Sequence, residues 1–430
     1  MKEVSILVFP CGSELGLEYW RALKDISFIK LIGASSVDDH GRFVYKNYVG
    51  NVPYISDVMF IEAIHDILEE YNIDYIFPAL DDAMLKLSEN RNMLKAQLLA
   101  PSSDTVMICR NKRKTYEAIK DADYVPRIYN VNEEILEWPV IVKPSQGSGS
   151  KGVVKAKSRD ELERHLDSCD DEQVICEYLS GAEYTVDCFT NKDRVLLYAS
   201  CRTRNRIRNG ISVNSSLQSF DNDIFVIAND INNRMELRGA WFFQLKRDSS
   251  GKYKLLEIAT RIGGTSCVQR AVGVNLPLLT VFDAMGFNVT VRAQCDVCEV
   301  DRALDSCYML PFEYDEVYID YDDTIIVHDR VNESIMRLLY QFINNNIPIF
   351  LVSKHDGNIH DELKNRRISD LIFDRIIHIK KDEEKSDHIS PSKNALFIDD
   401  SFAERERVAK KFGIVTYGVD AADALIDWRQ

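Results

Sequence analysis

Three short apolar runs in the first hundred residues, Ser5 to Phe9, Phe28 to Ile32 and Tyr75 to Pro78, are separated by stretches whose apolar positions recur at helical spacing. Strand and amphipathic helix in alternation predict a parallel α/β layer. The first run leads into Pro10-Cys11-Gly12-Ser13-Glu14-Leu15-Gly16 and then a helix. Such a turn either offers backbone N–H groups to an anion or uses its glycines for tight geometry alone, and the spacing is not the dinucleotide fingerprint. From about Leu98 to Gly286 the pattern changes to mixed strands and loops. It carries Arg202, Arg204, Arg206 and Arg208, which either hold an anionic ligand or form a solvated basic loop. Charged, irregular residues from Asp301 to Glu316 read as a linker. Alternation then resumes, with strands at Val317 to Ile319, Ile347 to Val352 and Ala395 to Ile398. Ile335, Leu338, Leu339 and Phe342 predict a crossover helix over Asn332 to Phe342.

A chain of 430 residues exceeds what one core serves, so two or three domains are expected. The formal net charge of -15 disfavours a nucleic-acid partner, although small anionic ligands remain compatible with local basic clusters. The apolar run Val4 to Phe9 is too short for a signal peptide, and no run reaches membrane-spanning length. Ten cysteines lie without a framework spacing, and Cys295 with Cys298 lacks the second pair of a zinc site. Reduced thiols in a cytoplasmic protein are the expectation.

Each of the last three strands ends on a reactive residue: Asp320, Ser353 and Asp399. In a parallel sheet such ends share one edge, where ligands bind. The first end reads Asp320-Tyr321-Asp322-Asp323-Thr324, which resembles the first motif of the haloacid dehalogenase (HAD) superfamily. That resemblance implies that Asp320 is a phosphoryl-accepting nucleophile, Asp322 a general acid and base, Thr324 a supporting hydroxyl and Ser353 a donor to phosphoryl oxygens. Lys385 is the implied third-motif cation, with Lys380 and Lys381 as competitors. Asp399 and Asp400, with Glu404 nearby, match the acidic fourth motif that holds magnesium with Asp320 and Asp322. Read alone, such aspartates are also good helix caps and turn residues. Little sequence separates the motifs, so a Rossmannoid parallel sheet without a large cap is expected over 314–430.

Asn111-Lys112-Arg113-Lys114-Thr115, then Pro139-Val140-Ile141-Val142-Lys143-Pro144 and Gln146-Gly147-Ser148-Gly149-Ser150-Lys151-Gly152, resemble an ATP-grasp domain of the carbamoyl-phosphate-synthase-like family. The resemblance implies that Lys112 and Lys143 meet ATP phosphates while backbone N–H groups of Gly147, Ser148 and Gly149 close over them. The glycine spacing does not fit a kinase-type P-loop. Glu177, Tyr178 and Leu179 look like the adenine hinge, and Glu183 like a ribose acceptor. Phe242-Phe243-Gln244-Leu245 and Leu255-Leu256-Glu257-Ile258 look like the two metal-bearing strands, giving Gln244 and Glu257 as magnesium ligands. Ala259 stands where the family often carries asparagine, and Arg261 is a candidate for steadying a transferred phosphoryl group.

The expected fold class is therefore α/β and α+β multidomain. A pre-ATP-grasp α/β layer would span 1–105, an ATP-grasp fold 106–300 and a HAD-like domain 314–430. The implied function is an ADP-forming carboxylate–amine ligase with an acyl-phosphate intermediate, fused to a phosphomonoester phosphatase. Its cofactors would be ATP and magnesium (Mg2+), with manganese (Mn2+) as the substitute. Its partners would be a small-molecule carboxylate, an amine and a phosphomonoester, with no nucleic acid and no membrane. A small-molecule kinase and a regulatory ATP-binding protein are the alternatives. Oligomeric state leaves no signature.

Overall fold

The computed structural model describes residues 1–147, 149, 151–208, 210–219, 221–295 and 298–429. The chain forms two compact units, Met1–Leu304 and Asp305–Gln430. Among the described residues no helix is long and apolar enough to cross a membrane.

The first unit opens with a five-stranded parallel sheet of β1 (Val4–Phe9), β2 (Ile29–Ala34), β3 (Asn47–Val49), β4 (Tyr75–Pro78) and β5 (Gln97–Leu98), in the order β3-β2-β1-β4-β5. Leu7, Phe9 and Ile32 pack on Phe60, Ile64 and Leu68 of the helix Phe60–Glu70, so apolar runs and helical stripe bury each other. The Pro10–Gly16 segment is a tight turn: the Ser13 hydroxyl accepts from the Gly16 N–H at 3.0 Å and caps the helix Glu14–Leu23. A Cβ at Gly16 would overlap the Cys11 carbonyl, so only glycine fits there.

Two antiparallel sheets follow. The first joins β6 (Ile128–Tyr129), β7 (Val140–Pro144), β8 (Val154–Ala156) and β9 (Gln173–Glu177) in the order β6-β9-β7-β8. The second joins β10 (Glu183–Thr190), β11 (Leu196–Thr203), β14 (Gly239–Arg247) and β15 (Tyr253–Ala259) in the order β11-β10-β14-β15. Trp241, Phe243, Val186 and Cys188 build its buried face against Ile224, Ile227, Ala228 and Ile231 of the helix Asn222–Arg234. A small antiparallel sheet of β12 (Arg206–Arg208), β13 (Ile211–Ser216) and β16 (Glu299–Asp301) completes this unit.

In the second unit β17 (Glu316–Ile319), β20 (Ile349–Ser353), β21 (Arg375–His378), β22 (Ala395–Ile398) and β23 (Val415–Tyr417) form a parallel sheet, order β21-β20-β17-β22-β23. The expected strand Ile347 to Val352 starts two residues later. Asn346 is left-handed, with φ at 55°, and Pro348 has no N–H, so pairing begins at Ile349. The crossover helix is Glu333–Asn344, capped by the Asn332 side chain. It buries Ile335, Leu338, Leu339 and Phe342 against Val317, Leu351 and Leu396. Between β17 and that helix stands only a hairpin of β18 (Ile326–Val327) and β19 (Arg330–Val331).

Candidate functional site

The two antiparallel sheets of the first unit face a cavity of about 250 Å³, continuous with a second of about 330 Å³; Lys112, Gly147, Gly149, Lys151, Gln244 and Glu257 line both. Lys143 enters from β7 and is buried; its ammonium donates to the Tyr116 hydroxyl at 2.8 Å and to the Leu256 carbonyl at 3.4 Å. Burial opposes its charge, but Tyr116, Cys176 and Glu257 outweigh burial and hold the pKa above the ordinary lysine value. Tyr116 is pushed up to about 12 by burial, so it is the neutral partner and Lys143 the cation at neutral pH. Lys112 follows the capping residue Asn111, and its ammonium lies 3.3 Å from the Gly147 carbonyl. Burial lowers its pKa, and the neighbouring cations Lys143 and Arg110 add to that. Two crowded ammoniums beside one cavity are a setting that an anion relieves.

Gln244 and Glu257 are cross-strand partners on β14 and β15. Neither side chain makes a hydrogen bond or ion pair among the described residues, so an amide oxygen and a free carboxylate share one wall. That donor set fits a hard divalent cation. Ala259, two residues on from Glu257, lines the larger cavity and supplies no ligand.

On the opposite wall Leu179 is buried and Tyr178 is exposed with the Lys155 ammonium 3.7 Å from its ring centre. The Glu177 carboxylate accepts the Arg127 N–H at 2.9 Å through one of its oxygens. Glu183 pairs with Arg204 at 3.1 Å and Lys246 at 3.6 Å, so its oxygens are already engaged by two cations. Ser148 lies outside the described residues. Gly149 and Gly210 both have positive φ, and a Cβ at Gly210 would overlap the Gly149 carbonyl; the two loops meet backbone to backbone.

The larger cavity also holds Asp81, which no sequence pattern singled out. Arg261 is gripped by Asp81, at 2.6 and 2.7 Å to the two carboxylate oxygens, and Asp81 sits in the first turn of the helix Asp81–Glu89. Burial would raise the Asp81 pKa, but Arg261, Arg110 and Lys112 hold it below the ordinary aspartate value. The four arginines of the basic segment divide. Arg202 is buried against Asp187 at 2.7 Å and donates to the Thr265 hydroxyl at 2.5 Å; Gln269 donates to the same aspartate at 3.0 Å. Arg202 and Arg204 line the cavity, whereas Arg206 and Arg208 are exposed on β12.

In the second unit three strand ends and the segment after β21 converge. Lys385, buried, lies 2.6 Å from Asp320 and 2.7 Å from Asp399. Lys380 is exposed and Lys381 pairs with Asp356, so of the three competing lysines only Lys385 reaches the aspartates. Carboxylate oxygens of Asp320, Asp399 and Asp400 lie within 4.8 Å of one another, which suits a divalent cation. Burial pushes the Asp320 pKa up to about 7, the Asp399 charge adding to it and Lys385 opposing it. Three crowded carboxylates with one ammonium leave excess negative charge, which a cation would remove.

Asp322 and Glu404 stand apart from that group. Asp322, half exposed, faces the His355 Nδ1 at 2.9 Å, and Glu404 pairs with Lys354 at 2.7 Å. Lys354 takes the Oε1 of Glu404, while its Oε2 is buried without a partner. Thr324 accepts the Asp400 N–H at 3.2 Å, and the buried Ser353 hydroxyl accepts the His355 N–H at 3.1 Å.

Two antiparallel sheets around one lysine-lined cavity, preceded by a parallel α/β layer, define the first unit as an ATP-grasp fold. Comparison with known proteins agrees. Residues 170–303 match the family described as ATP-grasp in the biosynthetic pathway with Ter operon, and residues 112–209 match the D-ala D-ala ligase C-terminus family. Phosphoribosylamine–glycine ligase of Fusobacterium nucleatum is 24% identical over 201 residues, 45% of this chain; the chain spans 43% of that protein's length. Biotin carboxylase of Campylobacter jejuni superposes with a TM-score of 0.57 at 17% identity, over 68% of this chain and 73% of that one. N5-carboxyaminoimidazole synthetase of Staphylococcus aureus, complexed with ADP, gives 0.57 at 16% identity, over 68% and 81%. L-amino acid ligase of Bacillus licheniformis gives 0.54 at 17% identity, over 66% and 74%.

Proposed function

We propose that the first unit is an ATP-dependent, ADP-forming carboxylate–amine ligase and that the second is a magnesium-dependent phosphomonoester phosphatase. The domains would be an α/β layer over 1–105, the ATP-grasp domain over 106–300 and the HAD-like domain over 314–430. The observation that carries the ligase reading is the pair of continuous cavities divided by Gln244 and Glu257. One is walled by a hinge for a nucleotide base, and the other by Arg202, Arg204 and Arg261 for an anionic acceptor. The named relatives that join carboxylates to amines support the same direction.

In this reading the hinge backbone at Glu177 to Leu179 holds adenine, Lys143 and Lys112 neutralise phosphates, and Gly147 and Gly149 close over them. Glu183 meets ribose only by sharing itself with Arg204 and Lys246. Arg261, fixed by Asp81, steadies the acyl-phosphate that forms when the acceptor carboxylate takes the γ-phosphoryl group and ADP leaves; the amine then displaces phosphate. Magnesium, or manganese in its place, would be held by Gln244 and Glu257 and would neutralise phosphate oxygens.

In the second unit Asp320 attacks the phosphorus of a phosphomonoester, and Asp322 gives its proton to the departing alcohol oxygen. Asp322 then takes a proton from the water that hydrolyses the aspartyl-phosphate. Ser353 and Lys385 hold the phosphoryl oxygens, and Thr324 fixes the loop that carries Asp400. Asp320, Asp399 and Asp400 form the cation site, with Asp322 left to its proton-transfer role. Ten free cysteines fit a reducing, cytoplasmic setting.

The test is phosphorus NMR of Asp320→Asn protein with ATP, magnesium and pooled acids and amines, the substitution preventing loss of phosphorylated products. Release of ADP and phosphate only when acid and amine are both present supports ligation. ADP with a persistent new phosphoester and no amine requirement would replace it with a kinase. No turnover with any acceptor would make the site regulatory.

A further inference from the structure

Away from the nucleotide cavity, the first unit holds a separate cavity of about 470 Å³ between the end of the parallel layer and the base of the second antiparallel sheet. Three guanidinium groups border it from three segments: Arg91 from the turn after the helix Asp81–Glu89, Arg194 from the β10–β11 turn, and Arg238 just before β14. Two carboxylates, Glu236 and Asp283, accompany them. Both are engaged. Asp283 is buried, accepts Arg238 Nε at 2.8 Å and takes the Lys192 N–H at 2.5 Å, while Glu236 is exposed and 3.5 Å from Arg194.

Arg91 is the group left over. It pairs with no carboxylate among the described residues and donates only to the carbonyls of Ala100 and Pro101. Its Nε is buried without a partner. Buried N–H groups are nearly always satisfied, so this orphan leaves Arg91 the least committed of the three guanidiniums that line the cavity. Burial and the nearby Arg238 cation both lower its pKa, so the fold holds two like charges close together. Forked guanidiniums converging from different segments are suited to tetrahedral, multivalent oxyanions.

We propose that this cavity is a second ligand site, distinct from the nucleotide cavity, which binds a small phosphate-bearing anion through Arg91, Arg194 and Arg238. The ligand would bridge the parallel layer, through Arg91, to the antiparallel sheet, through Arg194 and Arg238. The volume is ample for phosphate with a modest organic substituent. The inference stands on this cavity alone and is independent of whether the first unit is a ligase or a kinase.

The test is hydrogen exchange with inorganic phosphate as the probe, on full-length protein saturated with a non-hydrolysable ATP analogue and magnesium. Local readout separates this cavity from the phosphoryl sites elsewhere in the chain. Phosphate should slow exchange saturably in the segments 91–102 and 192–195. Arg194→Gln, an exposed position, and Arg91→Lys, which keeps the charge and removes the fork, should each raise the half-saturating concentration about tenfold. Melting temperature and ATP-analogue binding of both variants report that they fold. No phosphate-dependent protection in these segments, or protection unchanged in both variants, overturns the proposal.

Discussion

Arg261 and Asp81, 180 positions apart, form a two-pronged ion pair that ties the segment just after β15 to the first turn of a helix in the parallel layer. Both residues line the larger cavity, and the pair fixes the orientation of Arg261 there. Asp81→Asn keeps the shape and loses the charge. It should lower kcat for ATP turnover by about ten- to a hundredfold while leaving the KM for ATP within about threefold, because the lost interaction steadies the transferred group rather than the nucleotide. Steady-state kinetics of the variant checks the split.

Among the described residues neither the Glu257 nor the Gln244 side chain makes a hydrogen bond or ion pair, and the proposed metal role makes Glu257 the stronger ligand. Glu257→Gln should raise the magnesium concentration for half-maximal ATP turnover by about tenfold, with little change in melting temperature. A magnesium titration at saturating ATP measures it.

Arg202 and Asp187 are both buried, with side-chain exposures of 2% and 1%. Removing one partner strands a charge, so Asp187→Asn should destabilise the first unit by about 3–5 kcal/mol, whereas Arg202→Met with Asp187→Leu should cost less than either single change. Denaturant unfolding of the double variant and of Arg202→Met and Asp187→Leu singly gives the coupling.

Asp320 carries a pH signature. Its pKa rises from 3.8 unfolded to about 7 folded, so the folded state binds the proton more tightly. Its stabilising contribution is whole below pH 3.8 and is lost as pH climbs through about 7. Without divalent cations the second unit should therefore lose stability across that window, and magnesium should raise its melting temperature more at pH 8 than at pH 5.5. Melts of wild type and Asp320→Asn with and without magnesium test this; the substitution should remove most of the pH dependence.

The parallel layers and the strand-end aspartates could be read along the chain because both follow from local patterns: apolar runs of strand length, then a polar residue where the run stops. Lys385 could not be separated from Lys380 and Lys381 in one dimension, since only burial between Asp320 and Asp399 distinguishes it. Glu183 read as a ribose acceptor because the cations that engage it come from just after β11 and from β14. Asp81, Asp187, Tyr116 and His355 had no motif to announce them. Each acts on a residue brought near by the fold, and His355 stands beside Asp322 only because β17 and β20 are neighbours.

Gly149 and Gly210 meet through bare backbone, and both line the larger cavity. A methyl group at Gly210 is therefore a wedge rather than a mild substitution: it pushes the two loops apart by about the width of a carbon atom. In the proposed ligase reaction, solvent would then share the space in which a reactive acyl-phosphate must wait for its amine. The expected symptom is not silence but waste, with ATP consumed and phosphate released while no bond is made.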